Sequence, residues 1–270
     1  MKTVVLISAA FVALGHTDVL KPAPIAAAPN GYAYAVDFSA AASAKSLHCL
    51  KMSGYSTVFV RAYNPNGQGQ FDLNSVSTIR LAASANLGIE VYMTPQIRSM
   101  KNGTMQFIEL YVGLNKAQIR VNTVWLQVTS PIHWDPYTQN NINFLNQILT
   151  AAQMYNVRVG FYTNQYDWMQ ITNGAWVEGT PLWYWNVSGG GPKGETPADF
   201  RDFVPFGKWS SAVVKQFAQV ENVCDMVVNR DVYVDNRMTK AVAQQSSDPN
   251  VLVLSSNFGA GPLTGLLRTD

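Results

Sequence analysis

The stretch Thr123-Val-Trp125-Leu-Gln127-Val-Thr129-Ser-Pro131 decides how this chain is read. β-branched and aromatic residues dominate it and Ser-Pro ends it, the composition of a strand buried on both faces. Strands of that kind belong to parallel sheets covered by helices. When such a sheet closes into a barrel, the last residues of each strand face the functional site. Gln127 and Thr129 hold those last positions here, and neither side chain titrates near neutral pH. The segment therefore argues for an α/β fold and against acid–base chemistry delivered from its own end.

Outward from this strand, short apolar runs alternate with amphipathic ones. Strands are expected at 34–38, 57–63, 89–94, 123–129 and 157–163. Helical spacing covers 41–53, 72–86, 104–115 and 140–155. Asp72 caps the second of these and Gly88 lies just past its end. In the last, Ile142, Leu145, Ile148, Leu149 and Ala152 recur at helical period. Beyond residue 163 the rhythm changes: strands at 182–187, 213–219 and 231–236 follow without long crossovers, and 189–199 is a Gly/Pro-rich loop. Five βα units and then about three strands predict an α/β fold, an irregular TIM-like barrel. The barrel is assigned to 31–240, and a C-terminal tail, 241–270, is given no role.

The 270 residues are 47% hydrophobic, enough to bury one sizeable core. Only 13% are charged and the net charge is +2, so no polybasic patch points to nucleic acid. Lys2 followed by an apolar run over 3–14 reads as a secretory signal peptide, 1–15, and the run is too short to span a membrane. Residues 16–30 are an Ala/Pro-rich linker. The expected location is extracellular or within the secretory or lysosomal route. There an even cysteine count favours a Cys49–Cys224 disulfide, the alternative being two separate buried thiols. Asn102 and Asn186 begin glycosylation sequons, a weak signal at this length.

Common catalytic and metal signatures are absent. There is no H-E-x-x-H or C-x-x-C, and His16, His48 and His133 lack partners at ligand spacing, so neither a metal nor a cofactor is expected. Gly189-Gly-Gly-Pro-Lys-Gly194-Glu195 has Glu where a phosphate loop needs Lys. Two aspartates stand out by position. Asp37 ends the first strand; the plain alternative, a helix cap, can be met by Ser39. Asp235 ends the last strand, with a turn role or an ion pair to Arg237 as the alternative. The strand ends also supply Arg61, Thr94, Gln96 and Gln216. Tyr63, Tyr92, Tyr162, Trp183 and Trp185 offer flat rings for stacking on sugars, although most aromatics in any core simply fill it.

Tyr34-Ala-Val-Asp37-Phe-Ser39, Arg61-Ala-Tyr63, Trp125-Leu-x-Val-x, Gly160-Phe-Tyr162-Thr, Leu182-Trp-Tyr-Trp185, Lys215-Gln-Phe217 and Val234-Asp235-Asn236 follow one another in a fixed order. Together they resemble glycoside hydrolase family 25, the lysozyme (muramidase) family, and most of all its secreted invertebrate lysozyme-like branch. The resemblance covers roughly residues 31–238. It implies a barrel of five βα units plus three strands. It also implies cleavage of the β-1,4 bond between N-acetylmuramic acid and N-acetylglucosamine in bacterial peptidoglycan, in antibacterial defence or digestion. In the family a first-strand Asp lines the cleft, and Asp37 matches it. A last-strand Asp does the same, and Asp235 is matched to it. An Asp-x-Glu pair ends the fourth strand: the Glu is the general acid, and the Asp assists the 2-acetamido group or the developing positive charge.

At that pair the chain departs from the pattern. Gln127 stands at the Asp position and Thr129 at the Glu position. A glycosidase needs a proton donor at the leaving oxygen and an anion beside the oxocarbenium-like centre. Losing one acid–base group typically costs about 10²–10⁴ in rate. Hydrolysis is therefore expected to be weak or lost unless another carboxylate substitutes. Asp37 with Asp235 is the first candidate pair, and Asp135, Asp167 and Glu178 are others. A non-catalytic protein binding peptidoglycan on the same barrel is the alternative.

Overall fold

A computed structural model describes residues 31–235, 243–245, 248, 250–254, 258 and 261–269. The segments read as signal peptide and linker, with His16, lie outside the described residues, as do Asn236 and Arg237.

Eight strands close into a barrel: β1 (Tyr32–Phe38), β2 (Tyr55–Asn64), β4 (Gly88–Met93), β6 (Thr123–Gln127), β7 (Arg158–Thr163), β8 (Leu182–Trp185), β9 (Val214–Val223) and β10 (Met226–Val234). β3 (Gln70–Phe71) adds to the edge of β2, and β5 (Ile119–Val121) joins a small sheet with β11 (Ala243–Gln245) and β12 (Leu252–Leu254). Helices α1 (Ala44–Met52), α2 (Leu73–Ser84), α3 (Gly103–Lys116), α4 (Thr138–Met154) and α5 (Gln165–Thr172) follow β1, β2, β4, β6 and β7 in the chain. The expected five βα units and three further strands are present. Ser43, Asp72, Asn102 and Asn164 each accept a backbone N–H from the first turn of the helix that follows, which sets where α1, α2, α3 and α5 begin.

Two cores result from the alternation of strand side chains. Leu126, Val128, Val91 and Phe161 face outward into the layer under the helices. Ala35, Phe59, Tyr92, Trp125, Tyr162, Trp183, Val214 and Tyr233 fill the barrel itself. Tyr162 stacks on Trp183 with ring centroids 3.9 Å apart, and Trp183 meets Trp125 edge-on. Trp125 fits because its neighbour across the ladder is Gly160: a Cβ there would lie 2.5 Å from the indole. Burying one indole, roughly 200 Å² at about 25 cal/mol/Å², stabilises by up to about 5 kcal/mol.

Two local features redirect the end of the barrel. β9 and β10 form an antiparallel hairpin whose two-residue turn is Cys224-Asp225, with φ of 54° and 61°. Both residues sit in the left-handed region, as a tight turn of this hand requires. The turn is tied to α1 by the Cys49–Cys224 disulfide, as expected. β10 is therefore the one barrel strand that runs against the other seven. The second feature is a register break in β2 between Arg61 and Tyr63, where the strand's in–out alternation reverses.

The tail closes the opposite end. Phe258 packs against Phe59, Trp125 and Tyr233 at the foot of the inner column. Thr264 Oγ1 accepts from Val159 N and donates to Val159 O, and Leu267 N donates to Asn146 Oδ1. The tail thus covers the floor of the barrel and braces α4.

Candidate functional site

At the C-terminal ends of the parallel strands lies a cleft of about 480 Å³. Arg61 of β2, Thr94 and Gln96 after β4, and Gln127 and Thr129 at the end of β6 line it, with Trp134 and His133 from the next loop. The alternation that buries Trp125 inside the barrel aims Gln127 at the cleft as well. Thr94 Oγ1 donates to Gln127 Oε1 at 2.6 Å, and Gln127 Nε2 donates to Thr129 Oγ1 at 3.2 Å. Trp134 Nε1 donates to the Thr129 carbonyl, and Arg98 holds the carbonyls of Ile132 and Trp134. The wall that should carry acid chemistry is thus a fixed chain of neutral hydrogen bonds. Among the described residues no Asp or Glu lines this cleft.

The carboxylates lie deeper. Asp37 is 2% exposed and Asp231 fully buried. Asn229 Nδ2 donates to Asp37 Oδ1, and Trp183 Nε1 donates to Asp231 Oδ1, both at 3.0 Å. The two Oδ2 atoms are buried and meet no other donor, and the two acids hydrogen-bond one another. A single shared proton satisfies this arrangement. Burial pushes Asp37 up to about 7, with Asn229 and Asp231 pulling it back in part. Burial first, and then the Asp37 charge, hold Asp231 well above the usual carboxylate range. Burial likewise holds Tyr92 and Tyr162 in their neutral form, reinforced by Asp37. The Tyr162 hydroxyl donates to Gln216 Oε1. Near the cleft rim, Asp167 accepts from Trp185 Nε1 at 3.1 Å and from the Ser130 backbone, and burial pushes it up to about 6. Among the described residues no three His, Cys, Asp or Glu side chains gather as a metal site would need.

Comparison with known proteins follows the same line. The family model described as Lysozyme-like protein 1 matches residues 28–217. Lysozyme-like protein 1 of Caenorhabditis elegans is 54% identical over 206 residues, 75% of this chain and 69% of that protein. Lysozyme-like protein 7 of the same organism is 49% identical over 229 residues, covering 84% and 81%. The chain belongs to the lysozyme-like proteins of glycoside hydrolase family 25. Its fold agrees: a family GH25 lysozyme from Aspergillus fumigatus superposes with a TM-score of 0.60 at 15% identity, over 77% of this chain and 96% of that one.

Within this lysozyme-like barrel the residues singled out from sequence separate into groups. Asp37, Gln127 and Thr129 all face the interior or the mouth. Asp235 does not join them. Because β10 runs in reverse, its C-terminal end lies at the foot of the barrel, where Asp235 N donates to the Gly31 carbonyl. The expected Asp37–Asp235 pair is corrected to Asp37–Asp231. The Cys224-Asp225 turn that reverses β10 carries no Asn-Gly or Asp-Gly signature, so the sequence offered no signal for Asp231. Tyr63 is a second correction. The β2 register break turns it outward, where its hydroxyl donates to Glu109 of α3 and it is fully buried. Tyr92, Tyr162 and Trp183 belong to the inner column, each at most 5% exposed. Trp185 is only partly buried and sits beside Ser130 through their common partner Asp167. Trp134 and Arg61 are cleft residues that the sugar-stacking argument passed over. Asp135 Oδ1 is occupied by the Tyr137 backbone, and Glu178 is an exposed partner of Lys208.

Proposed function

We propose that this protein engages the glycan of bacterial peptidoglycan in the barrel-mouth cleft and holds it with little or no hydrolysis. One observation carries this reading: Gln127 and Thr129 point into the cleft, bonded to each other and, through Gln127, to Thr94, and among the described residues no carboxylate lines it. Amides and hydroxyls bond sugar hydroxyl and acetamido groups well, but they neither protonate a glycosidic oxygen nor balance an oxocarbenium charge. The surviving acid pair is enclosed with Trp183 and Tyr162 and keeps its proton between its own members, and Asp167 near the rim is held by Trp185 and the Ser130 backbone. Trp185 and Gln96, both partly exposed, are the flanking groups proposed to bind the sugar. The relatives' designation as lysozyme-like proteins supports the substrate class. The disulfide supports an oxidising compartment, and secretion for antibacterial defence or digestion is proposed on that basis with the Lys2-led apolar leader.

The test has two parts. Full-length protein is expected to be retained on insoluble peptidoglycan above an unrelated basic protein, while clearing a bacterial wall suspension slowly or not at all. Gln127→Asp with Thr129→Glu is expected to raise the clearing rate by about 10²-fold or more. Wild-type protein that clears as fast as the double variant, or that is not retained at all, refutes the reading.

A further inference from the structure

Arg61 lies two residues beyond Phe59 of the inner column, with its side chain in the cleft. Its Nε is buried and has no hydrogen-bond partner. Among the described residues it makes no ion pair, whereas Lys101, Lys215 and Arg230 all do. Acids carried by the elements next to β2 are already taken. Asp37 is bound to Asn229 and Asp231, Glu109 to Lys101 and Tyr63, and Asp72 caps α2. The other charged or titratable side chains lining the cleft, Arg98 and His133, are basic as well. A half-buried guanidinium without a counter-charge is costly to keep. It is what a site looks like when the ligand brings the negative charge. The planar fork of arginine suits a carboxylate or a phosphate, each of which can accept two parallel N–H bonds.

We propose that Arg61 is the specificity-determining residue of the cleft and receives an oxyanion carried by the bound saccharide, so that the protein selects acidic over neutral sugar chains. The inference rests on the cleft being a glycan site, and deepens that reading. A sugar's lactyl ether carboxylate and a sugar phosphate share the required chemistry.

Calorimetric titration of the full chain separates the possibilities. Three tetrasaccharides serve as probes: a neutral N-acetylglucosamine oligomer, one carrying lactyl carboxylates on alternate sugars, and one carrying 6-phosphates. At least one acidic probe is expected to bind about 10- to 100-fold more tightly than the neutral one. Whichever acidic probe wins identifies the source of the anion. Arg61→Gln is expected to bring the acidic probe's affinity down to that of the neutral one, with an unchanged circular dichroism spectrum showing that the variant is folded. Arg61→Lys is expected to keep part of the preference. Equal binding of acidic and neutral probes, or an acidic preference that survives Arg61→Gln, overturns the inference and leaves the glycan reading standing. Failure of all three probes at millimolar concentration overturns both.

Discussion

Raising the pH from 5 to 7.5 should weaken this fold, and Asp37 sets the size of the effect. In the unfolded chain an aspartate titrates near 3.8, whereas burial in the barrel pushes Asp37 up to about 7. Between those values the folded protein holds a proton that the unfolded chain has released, so stability is greatest below about pH 4 and falls as pH rises through 7. At about 1.4 kcal/mol per tenfold change in proton affinity, the part of the loss between pH 5 and 7.5 is about 2–3 kcal/mol. Asp231, Asp167 and Glu221 are all raised, chiefly by burial, and push in the same direction. The opposing carboxylates act elsewhere. Asp199 is held low by Arg201; Asp202, which burial would raise, is held low by Lys215, Tyr184 and Asn186. Their stability is lost only below the ordinary aspartate range. Urea unfolding followed by tryptophan fluorescence at pH 5, 6, 7 and 7.5 measures the slope. Asp37→Asn keeps a group that can accept from Asn229 and donate to Asp231, and should remove up to about 2–3 kcal/mol of the decline. Stability that is flat or rising over this window, or an Asp37→Asn variant with the wild-type slope, refutes the shared-proton account.

Trp183→Phe preserves the ring under Tyr162 but removes the donor to buried Asp231, and should cost about 1–3 kcal/mol in the same unfolding assay at pH 5. Gly160→Ala places a methyl 2.5 Å from the Trp125 ring and should cost about 1–3 kcal/mol, with a shifted near-ultraviolet circular dichroism band reporting the displaced indole. Cys49→Ser opens a link between residues separated by 175 positions and should lower stability by about 3–5 kcal/mol, an effect that reductant reproduces in the wild type and not in the variant.

Most of the βα units were legible because each strand is a short apolar run and the helices show apolar periodicity, with Asp72 marking the start of α2; α4 has no capping side chain and was read from its period alone. The orientation of Gln127 was legible too, since it shares parity with buried Trp125. What remained hidden was governed by single residues with ordinary identities. A reversing turn announces itself when Asn-Gly or Asp-Gly supplies the left-handed backbone; here Cys224-Asp225 does so, with the disulfide fixing its tip to α1, and nothing in the composition marks it. The reversal of β10 then moved the last-strand acid from Asp235 to Asp231. The break in β2 is equally silent in sequence, and it sends Tyr63 to α3 while leaving Arg61 in the mouth. The acid pair was invisible for another reason: no spacing rule links residues 37 and 231, which meet only when the first and last strands zip together.

The floor beneath the aromatic column has a practical meaning for anyone shortening the gene. A fragment ending at residue 217, where the family match stops, would sever β9 partway and discard β10. Two raw strand edges would be left to solvent, ready to recruit copies of themselves into aggregates. Trimming only the stretch from 258 onward would spare the ring of strands but let water reach Phe59 and Trp125 from underneath. Truncation should therefore be tolerated in abrupt steps, and the smallest soluble unit extends well past the homologous block.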